Sequence, residues 1–478
     1  MRIRMNWVIL GLALFLLPTV SVAQQAKDDI SQAIDDRADQ YRDMAMQIWN
    51  LAELGYMEEK SSGILQIQLK EAGFEVTSGV ASIPTAFVAS YGSGKPVIGI
   101  LAEFDALPGL SQEATPTRQV RIEGAPGHAC GHHLFGTAST AAAIAVKDWL
   151  VSSGQTGTIR LYGTPAEEGG SGKVYMVRAG LFDDTDVVLH WHPGDANDAS
   201  PSTTLANKSA KFRFRGVSAH AAVAPERGRS ALDGVEAMNT MVNLMREHVP
   251  QETRIHYVIT QGGLAPNVVP ELAEVYYYVR HPRAPMLGEI WERVVRAARG
   301  AAMGTGTTVD WEIIHGNHRI LTNLTLSRLV QANLERLGGV HYSAEEQAFA
   351  ERIRETLGRV SRPLGSERQI QPFQERQGMG SSDVGDVSWA VPTAGLRTAT
   401  WVPGTASHTW QAVAAGGTEI GIKGMLLAAK VLATTALDVF NDPSVVEEAR
   451  REWQERLGPD FQYEALLGDR NPPLDYRK

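Results

Sequence analysis

Apolar and polar residues follow two different periods along the chain, which predicts a succession of strands and helices. Residues 28–53 place apolar side chains at helical spacing and predict one long amphipathic helix. Residues 134–151 are rich in alanine and predict a second helix. Short apolar runs bounded by glycine and proline predict strands at 86–90, 97–101, 158–162 and 187–192. This alternation indicates an α/β fold with its functional groups in the loops that follow the strands.

The middle of the chain has a different order of elements. Its pattern predicts strand, helix, strand, strand, helix and strand, at 211–216, 230–247, 254–260, 273–280, 286–300 and 307–315. This order is typical of a ferredoxin-like α+β unit, so we expect an inserted domain at 207–317 between two parts of a first domain, 24–206 and 318–478. The second part is predicted to contain helices, a glycine-rich loop and a C-terminal surface segment, at 321–337, 343–360, 418–440, 378–386 and 441–478.

The first 23 residues predict a secretory signal peptide. Arg2 and Arg4 precede an apolar run that is short for a membrane span, and small residues follow at a suitable cleavage point. An uncleaved N-terminal anchor is the alternative. We therefore expect an exported protein, periplasmic or secreted, that has no stable membrane span after processing.

Size and composition narrow the class of protein. A chain of 478 residues exceeds one ordinary core, so we expect two or three domains. A hydrophobic content of 43% and a charged content of 21% are typical of a folded globular protein. The formal net charge of -9, without a basic stripe, argues against nucleic acid as a partner.

The single cysteine of the chain, Cys130, lies in the segment GHACGHH at residues 127–133. Thiolate and imidazole are ligands that zinc prefers, and a single glycine separates Cys130 from His132. A lone cysteine has no disulfide partner within its chain, so metal ligation gives an exported free thiol a purpose. For this segment alone, the alternative is a buried, inert cysteine beside locally hydrogen-bonded histidines.

Carboxylates follow two of the predicted strands. Asp105 comes just after strand 97–101 and shortly before a proline, where a carboxylate can orient a metal-bound histidine. Glu167 and Glu168 follow strand 158–162. In an extended chain two such neighbours point to opposite sides, so one can bind a metal while the other accepts a proton from water. A turn-forming aspartate and a solvated acidic turn are the alternatives.

Histidines supply the remaining candidate ligands. His190 and His192 share one face of strand 187–192, which is a usual way to present two imidazoles to an ion. A hydrogen-bonded pair at a strand end is the alternative for these two. His408 lies far along the chain in the segment ASHTW and by itself indicates nothing.

Three polar residues of the predicted inserted domain are candidates for binding substrate. His220 follows the first strand of that domain, Asn267 comes after a Gly-Gly pair, and Arg280 ends a strand. Such side chains can hold a carboxylate or an oxyanion. Each of them taken singly is also typical of a turn or a surface.

Together these motifs resemble those of the co-catalytic metallopeptidase family of aminoacylases and bacterial zinc carboxypeptidases, and within it the amidohydrolase branch. The resemblance runs from about residue 28 to the C-terminal region and rests on 127–133, 165–169, 191–194, 216–221, 382–389 and 408–411. It implies a two-metal aminopeptidase/carboxypeptidase-like catalytic domain with an inserted ferredoxin-like α+β dimerisation domain. It also implies two divalent metal ions per chain, zinc or manganese.

The resemblance further implies a role for each candidate residue. The implied metal ligands are Cys130, His132, Glu168, His408 and one strand histidine. The wider branch has its strand ligand at the position of His190, whereas the aminobenzoyl-glutamate group has it at His192, so both are candidates with a slight preference for His192. The remaining roles are general base for Glu167, ligand orientation for Asp105, oxyanion stabilisation in a neighbouring subunit for His220, and carboxylate binding for Asn267 and Arg280.

Two segments depart from the pattern of the branch. His133 stands where an aspartate or asparagine is usual, which predicts a change in metal tuning. The segment Ser381-Ser382-Asp383-Val384 replaces a motif expected to contact substrate. Specificity is therefore carried over less safely than chemistry.

The expected activity is metal-dependent hydrolysis of the amide that joins an acyl or aroyl group to an amino acid. The alternatives are an exported dipeptidase or carboxypeptidase of the same family, and a metal- or ligand-binding protein without catalysis. Glu167 argues against the binding protein, because binding alone requires no base. The expected partners are a small-molecule amide substrate and a second copy of the chain, and the alternative assembly is a heteromer that contains a sister subunit.

Overall fold

The computed structural model describes residues 17–360 and 362–477. Most of the predicted signal peptide lies outside these residues. Within them, the α-helices are α1 Leu17–Asp35, α2 Ala38–Leu51, α3 Glu59–Glu71, α4 His132–Ser153, α5 Gly172–Arg178, α6 Ala231–Met245, α7 Ala284–Thr305, α8 Leu324–Leu337, α9 Ala344–Thr356, α10 Val384–Ala390, α11 Trp410–Gly416, α12 Glu419–Asn441 and α13 Pro443–Leu457. The strands are β1 Glu75–Ser78, β2 Phe87–Ser93, β3 Val97–Ala102, β4 Gly157–Gly163, β5 Val187–Gly194, β6 Ser202–Thr203, β7 Ala206–Arg215, β8 Arg254–Gln261, β9 Leu272–His281, β10 Thr308–Asn317, β11 Arg376–Gln377 and β12 Thr393–Ala399.

The larger sheet has six strands in the order β1-β2-β4-β3-β5-β12. Strands β4, β3, β5 and β12 run parallel to one another, and β1 and β2 add an antiparallel edge. Every residue of β3 is buried, as expected for a central parallel strand covered on both faces. Helix α4 contacts β3, β4 and β5, while α12 packs against α4 and contacts β5 and β12. The predicted α/β class is confirmed.

The smaller sheet has four antiparallel strands in the order β10-β7-β9-β8. Helices α6 and α7 pack against it and bury a separate apolar core around Phe212, Tyr277 and Trp291. The element order and the strand order are those of a ferredoxin-like α+β unit, as predicted. The sheet begins at Ala206 and ends at Asn317, next to the predicted limits of the inserted domain.

Three predicted elements have different limits in the structure. The single helix expected at 28–53 is two helices, α1 and α2, because the chain bends at Asp36–Arg37. The helix expected at 343–360 ends at Thr356, since Leu357 is extended. The loop expected at 378–386 ends at Asp383, and its last residues form the first turn of α10.

The C-terminal segment differs most from its prediction. It contains helix α13, and the chain beyond Gly458 continues back to the main sheet, where Tyr476 and Arg477 contact the carbonyl of Glu168. A surface segment was expected here. We call residues 458–477 the C-terminal tail.

Among the described residues, α12 is the helix that is long and apolar enough to cross a membrane. However, 78% of its apolar window is buried inside the protein, as in a core helix.

Candidate metal centre and active site

The parallel strands bring the candidate residues together. Strands β4, β3 and β5 are neighbours in the sheet, so the loops at their carboxyl ends meet at one edge. Asp105 follows β3, Glu167 and Glu168 follow β4, and His192 lies near the end of β5. The turn at Cys130 leads into α4, whose first residue is His132. Residues that are far apart in sequence therefore share one site.

Cys130 lies at the centre of this site and is buried. Its Sγ atom and the imidazoles of His132 and His192 form a group whose ligand atoms all lie within 4.8 Å of one another. Cys130 also forms such a group with Glu168 and His408. The two groups share the thiol, so the structure offers two adjacent ligand sets with one common ligand.

Asp105 orients the ligand-bearing loops. Its Oδ1 atom lies 2.8 Å from His132 Nδ1, which directs His132 Nε2 toward the other ligand atoms. Its Oδ2 atom accepts a hydrogen bond from the backbone N–H of Glu168 at 2.8 Å. One buried carboxylate thus fixes two candidate ligands, as expected for a group that supports a metal site.

Glu167 and Glu168 lie in a turn rather than in an extended chain, which corrects the prediction for this segment. Ala166 has a φ of 58°, a left-handed conformation that is unfavourable for a residue with a Cβ atom. The side chain of Glu58 stabilises this turn by accepting a hydrogen bond from the Ala166 N–H at 2.9 Å. The two carboxylates still separate, because Glu168 belongs to the group of Cys130 and His408 whereas Glu167 does not.

His408 reaches the site from the loop after β12. Its φ is 62°, and its N–H donates to the carbonyl of Ala129 at 2.9 Å. The Nε2 atom then lies 3.3 Å from Glu168 Oε1, while the side chain remains 53% exposed. This side of the site is therefore open to solvent.

The structure distinguishes the two strand histidines by position. His192 Nε2 lies 3.4 Å from Cys130 Sγ. His190 also lines the pocket, but it belongs to neither of the two groups that share the thiol. The geometry favours His192 as the strand ligand.

Sequence reasoning missed a buried charge network beside the site. Lys173 Nζ contacts Glu103 Oε1 at 2.6 Å and Asp383 Oδ1 at 2.7 Å, and all three side chains are buried. Glu103 Oε2 in turn lies 3.1 Å from His132 Nε2. Glu103 follows the same strand as Asp105, and this position was the available signal for it. Lys173 and Asp383 have no comparable signal, because their partners are distant in sequence.

His133 does not tune the metal site, contrary to the expectation. Its Nε2 atom lies 3.0 Å from the carbonyl of Gly416, at the end of α11. The neighbouring His128 contacts the carbonyl of Ile48 and packs against the His133 ring at a centroid distance of 4.9 Å. Burial lowers the pKa of both imidazoles. These two histidines hold helices together.

The residues of the predicted inserted domain separate into two places. Arg280 lines the pocket beside the site. His220 and Asn267 are exposed and lie next to each other, with the Ala221 N–H donating to the Asn267 carbonyl at 3.1 Å. Neither of these two lines the pocket of its own chain.

Electrostatics of the site match a ligand set that awaits cations. Burial, and secondarily the carboxylate of Glu168, raises the pKa of the Cys130 thiol well above its usual value. Burial and the nearby carboxylate of Glu103 likewise raise the pKa of Glu167. Buried His132 Nε2 and Glu168 Oε1 have no hydrogen-bond partner among the described residues. Such orphaned buried donors and acceptors are costly, and a divalent cation would satisfy them.

The pocket beside these groups has a volume of about 870 Å³. Such a volume is sufficient for a small organic substrate. The family model for peptidase family M20/M25/M40 matches residues 99–436, a range that includes every side chain of the two ligand groups. The chain belongs to this family. The resemblance noted from the motifs is confirmed.

Members of the M20 family with curated functions include near relatives of the chain. It is 43% identical over 453 residues to one of the named subunits of the p-aminobenzoyl-glutamate hydrolase of Escherichia coli K12, which covers 89% of this chain and 94% of that protein. It is 30% identical over 442 residues to the Xaa-Arg dipeptidase of Mus musculus, covering 89% and 92%. The chain is therefore a hydrolase of an amide-cleaving family.

Solved structures share the M20 fold. An aminobenzoyl-glutamate utilization protein from Klebsiella pneumoniae matches with a TM-score of 0.58 and 18% identity, covering 86% of this chain and 98% of that one. A dinuclear metal-binding peptidase of the M20 family from Bacillus subtilis matches with a TM-score of 0.57 and 17% identity, covering 85% and 99%. These neighbours support the two-part architecture, an α/β domain carrying an inserted α+β unit.

Proposed function

We propose that this protein hydrolyses the amide bond between an acyl or aroyl group and an amino acid, with p-aminobenzoyl-glutamate as the reference substrate. The observation that carries this proposal is Glu167, which lies beside two ligand groups that share Cys130 but belongs to neither. A site that only stored metal would not require a separate buried carboxylate there. The 43% identity to the E. coli p-aminobenzoyl-glutamate hydrolase protein supports the choice of substrate.

The residues present fit two divalent metal ions, zinc or manganese. Cys130, His132 and His192 would hold one ion, and Cys130, Glu168 and His408 the other. The thiolate and imidazoles suit zinc, whereas carboxylate ligands also suit manganese. When bound, such ions acidify water and polarise the substrate carbonyl.

The side chains of the protein provide the proton transfers. Glu167 would accept a proton from the attacking water as its oxygen bonds to the amide carbon. The same carboxyl group would then return this proton to the amide nitrogen as the carbon–nitrogen bond breaks. The products are a carboxylic acid and a free amino acid. Burial favours the protonated form of Glu167 and therefore its second role.

We also propose that two copies of the chain pair through the smaller sheet. Strand β8 is an edge strand, and Val258 and Ile259 on it are 56% and 40% exposed. An exposed apolar edge strand readily pairs with another chain. Leu264, in the next turn, is fully exposed at 100%. Pairing there would allow His220, which lies outside the pocket of its own chain, to stabilise the oxyanion in the other copy.

A heteromer with a sister chain is the second assembly that we consider. The E. coli hydrolase has two differently named subunits, and the chain resembles both of them. Its identity to the second of these is 26% over 313 residues. Purification of the chain alone, followed by mass and activity measurements, separates the two assemblies.

A second candidate function is dipeptide hydrolysis, supported by the 30% identity to an Xaa-Arg dipeptidase. Cleavage of p-aminobenzoyl-glutamate, N-acyl amino acids and dipeptides, compared side by side, separates the candidates. Export remains a proposal that rests on the predicted signal peptide. Cell fractionation together with N-terminal sequencing tests export, with a mature chain expected to begin near Gln24.

The decisive experiment measures metal content and p-aminobenzoate release on the purified mature chain, with and without added zinc or manganese. Two ions per chain together with metal-dependent release are expected. Two ions without hydrolysis of any N-acyl or N-aroyl amino acid, by the chain alone or together with the sister chain of a heteromer, would overturn the proposed substrate class. A chain that binds no metal after reconstitution would overturn the metal centre itself.

A further inference from the structure

The C-terminal tail contributes two side chains to the candidate active site. Tyr476 Oη donates to the Glu168 carbonyl at 3.1 Å, and Arg477 Nη2 donates to the same carbonyl at 2.6 Å. The Tyr476 ring packs edge-to-face on Tyr56 at a centroid distance of 5.7 Å. A Cβ atom at Gly55 would lie 2.6 Å from Tyr476 Oη, so glycine at that position leaves room for the tail. The tail is therefore seated against the turn that carries Glu167 and Glu168.

Arg477 and Arg280 both line the pocket, on either side of Tyr278. The Arg280 guanidinium lies 5.5 Å from the centre of the Tyr278 ring. A Cβ atom placed on Gly169 would be 3.1 Å from the Tyr278 hydroxyl and 3.7 Å from Arg477 Nη2. The two guanidinium groups thus flank one tyrosine beside the catalytic turn.

Neither arginine has a carboxylate within 4.0 Å among residues 17–360 and 362–477. Other pocket carboxylates already have cationic partners, since Asp195 and Asp198 pair with Arg362 and Arg376. Arg280 Nε is buried without a hydrogen-bond partner in the described chain. A buried cation without a counter-charge is costly, so an anionic ligand would compensate for both.

We propose that Arg477 is a specificity-determining residue that binds a second carboxylate on the amino-acid part of the substrate. Arg280 holds the α-carboxylate, and Arg477 holds the side-chain carboxylate of an acidic residue such as glutamate. This inference rests on the proposed function and names a substrate class for it. The same two cations would repel a basic C-terminal residue, which disfavours dipeptides that end in arginine.

The test compares matched substrates on the metal-loaded protein. These are p-aminobenzoyl-glutamate, its glutamine analogue, which lacks the second negative charge, and its glycine analogue, which lacks the side chain. Wild-type protein is expected to favour the glutamate substrate over both analogues by about tenfold or more in kcat/KM. Equal kcat/KM values for the three substrates would overturn the role of Arg477 while leaving the proposed function intact.

The variant R477M is expected to lose about 10- to 100-fold in kcat/KM on the glutamate substrate and little on the two analogues. R477K should recover part of this loss, because it keeps the charge. The control is R470M, since Arg470 lies in the same tail but pairs with Glu312 outside the pocket. An equal loss on all three substrates would show that Arg477 only holds the turn, and would overturn the proposal.

A binding measurement separates recognition from turnover. In the E167Q background, calorimetry with p-aminobenzoyl-glutamate and its glutamine analogue reports affinity without hydrolysis. Tighter binding of the glutamate compound, lost in E167Q/R477M, supports the proposal even if no hydrolysis is found. Equal affinity for the two compounds would overturn it. Turnover of a different acyl class would overturn the proposed function and leave this result standing.

Discussion

At the scale of single residues, the site depends on which atoms of a few side chains meet. Asp105 fixes His132 and the Glu168 backbone together, so one carboxylate coordinates both ligand groups. Glu167 lies in the same turn but outside the two groups that share Cys130. This separation between ligand and base produces the first prediction.

The variant E167Q is expected to lose activity by about 10²- to 10⁴-fold, because an amide cannot accept the proton. Metal content and the unfolding midpoint should stay near those of the wild type. These are measured by elemental analysis and thermal denaturation. E123Q, a change at an exposed loop residue, is the control and should keep full activity. Undiminished turnover of E167Q would remove Glu167 from the mechanism.

The two strand histidines give a matched pair of variants. H192A is expected to bind one metal ion fewer per chain, because His192 Nε2 lies 3.4 Å from Cys130 Sγ. H190A should retain both ions, since His190 belongs to neither group. Elemental analysis of the two purified variants decides between them. Loss of an ion from H190A alone would move the strand ligand to His190.

At the scale of elements, buried charges join segments that the sequence separates widely. Lys173 of α5 binds Asp383, 210 positions away at the start of α10, and Glu103 at the end of β3. Removal of one member leaves an uncompensated charge in the interior. K173M is therefore expected to lower the free energy of unfolding by about 3–5 kcal/mol.

The control for K173M is K430M. Lys430 pairs with Asp35 on the surface, where the two side chains are 20% and 43% exposed. A surface pair contributes about 0–1 kcal/mol, so this variant should unfold near the wild-type midpoint. Chemical denaturation of both variants measures the difference. Equal stability would show that the buried network does not stabilise the fold.

His315 at the end of β10 gives a pH-dependent prediction. Burial, with the charge of Arg280 as a smaller cause, lowers the pKa of His315 to about 4. The unfolded chain therefore binds this proton near pH 6.5, before the folded protein does. The stabilising contribution is complete above about pH 6.5 and is lost as the pH falls through about 4, in total about 3 kcal/mol.

H315N removes this titration and can still accept a hydrogen bond from Ser171, the present partner of His315. The free energy of unfolding, measured by denaturant at several pH values between 4 and 7, should fall less steeply for H315N than for the wild type. Parallel curves for the two proteins would contradict the lowered pKa.

At the scale of the whole molecule, the smaller sheet presents its edge strand β8 to solvent. V258K places a charge on this exposed apolar edge and is expected to convert a dimer to a monomer, because charged side chains block edge pairing. Light scattering coupled to gel filtration measures the mass. Activity should fall with the dimer if His220 acts in the second copy.

The control for the dimer is K95A, a change at an exposed lysine of the larger domain, 63% exposed beside Asp186. Its mass should equal that of the wild type. A V258K protein that remains dimeric would place the interface elsewhere.

The sequence by itself determined the local elements and the chemical types at the site. The period of apolar residues is a local property, so most strands and helices, including the six elements of the smaller domain, were predicted close to their observed limits. It failed at Asp36–Arg37, because the apolar spacing continues through that bend. The motif around Cys130 likewise indicated metal chemistry, since ligand type is encoded directly in residue identity.

Only the tertiary structure decided which residues meet. Two histidines on one strand face look equivalent in sequence, and their distance to Cys130 distinguishes them. The ion pairs of Lys173 and the contacts of Arg477 with Glu168 join positions 210 and 309 apart in the chain. Hydrophobic periodicity records which face of an element is buried but carries no information about its distant partner. The packing of the whole chain therefore sets the geometry of the site.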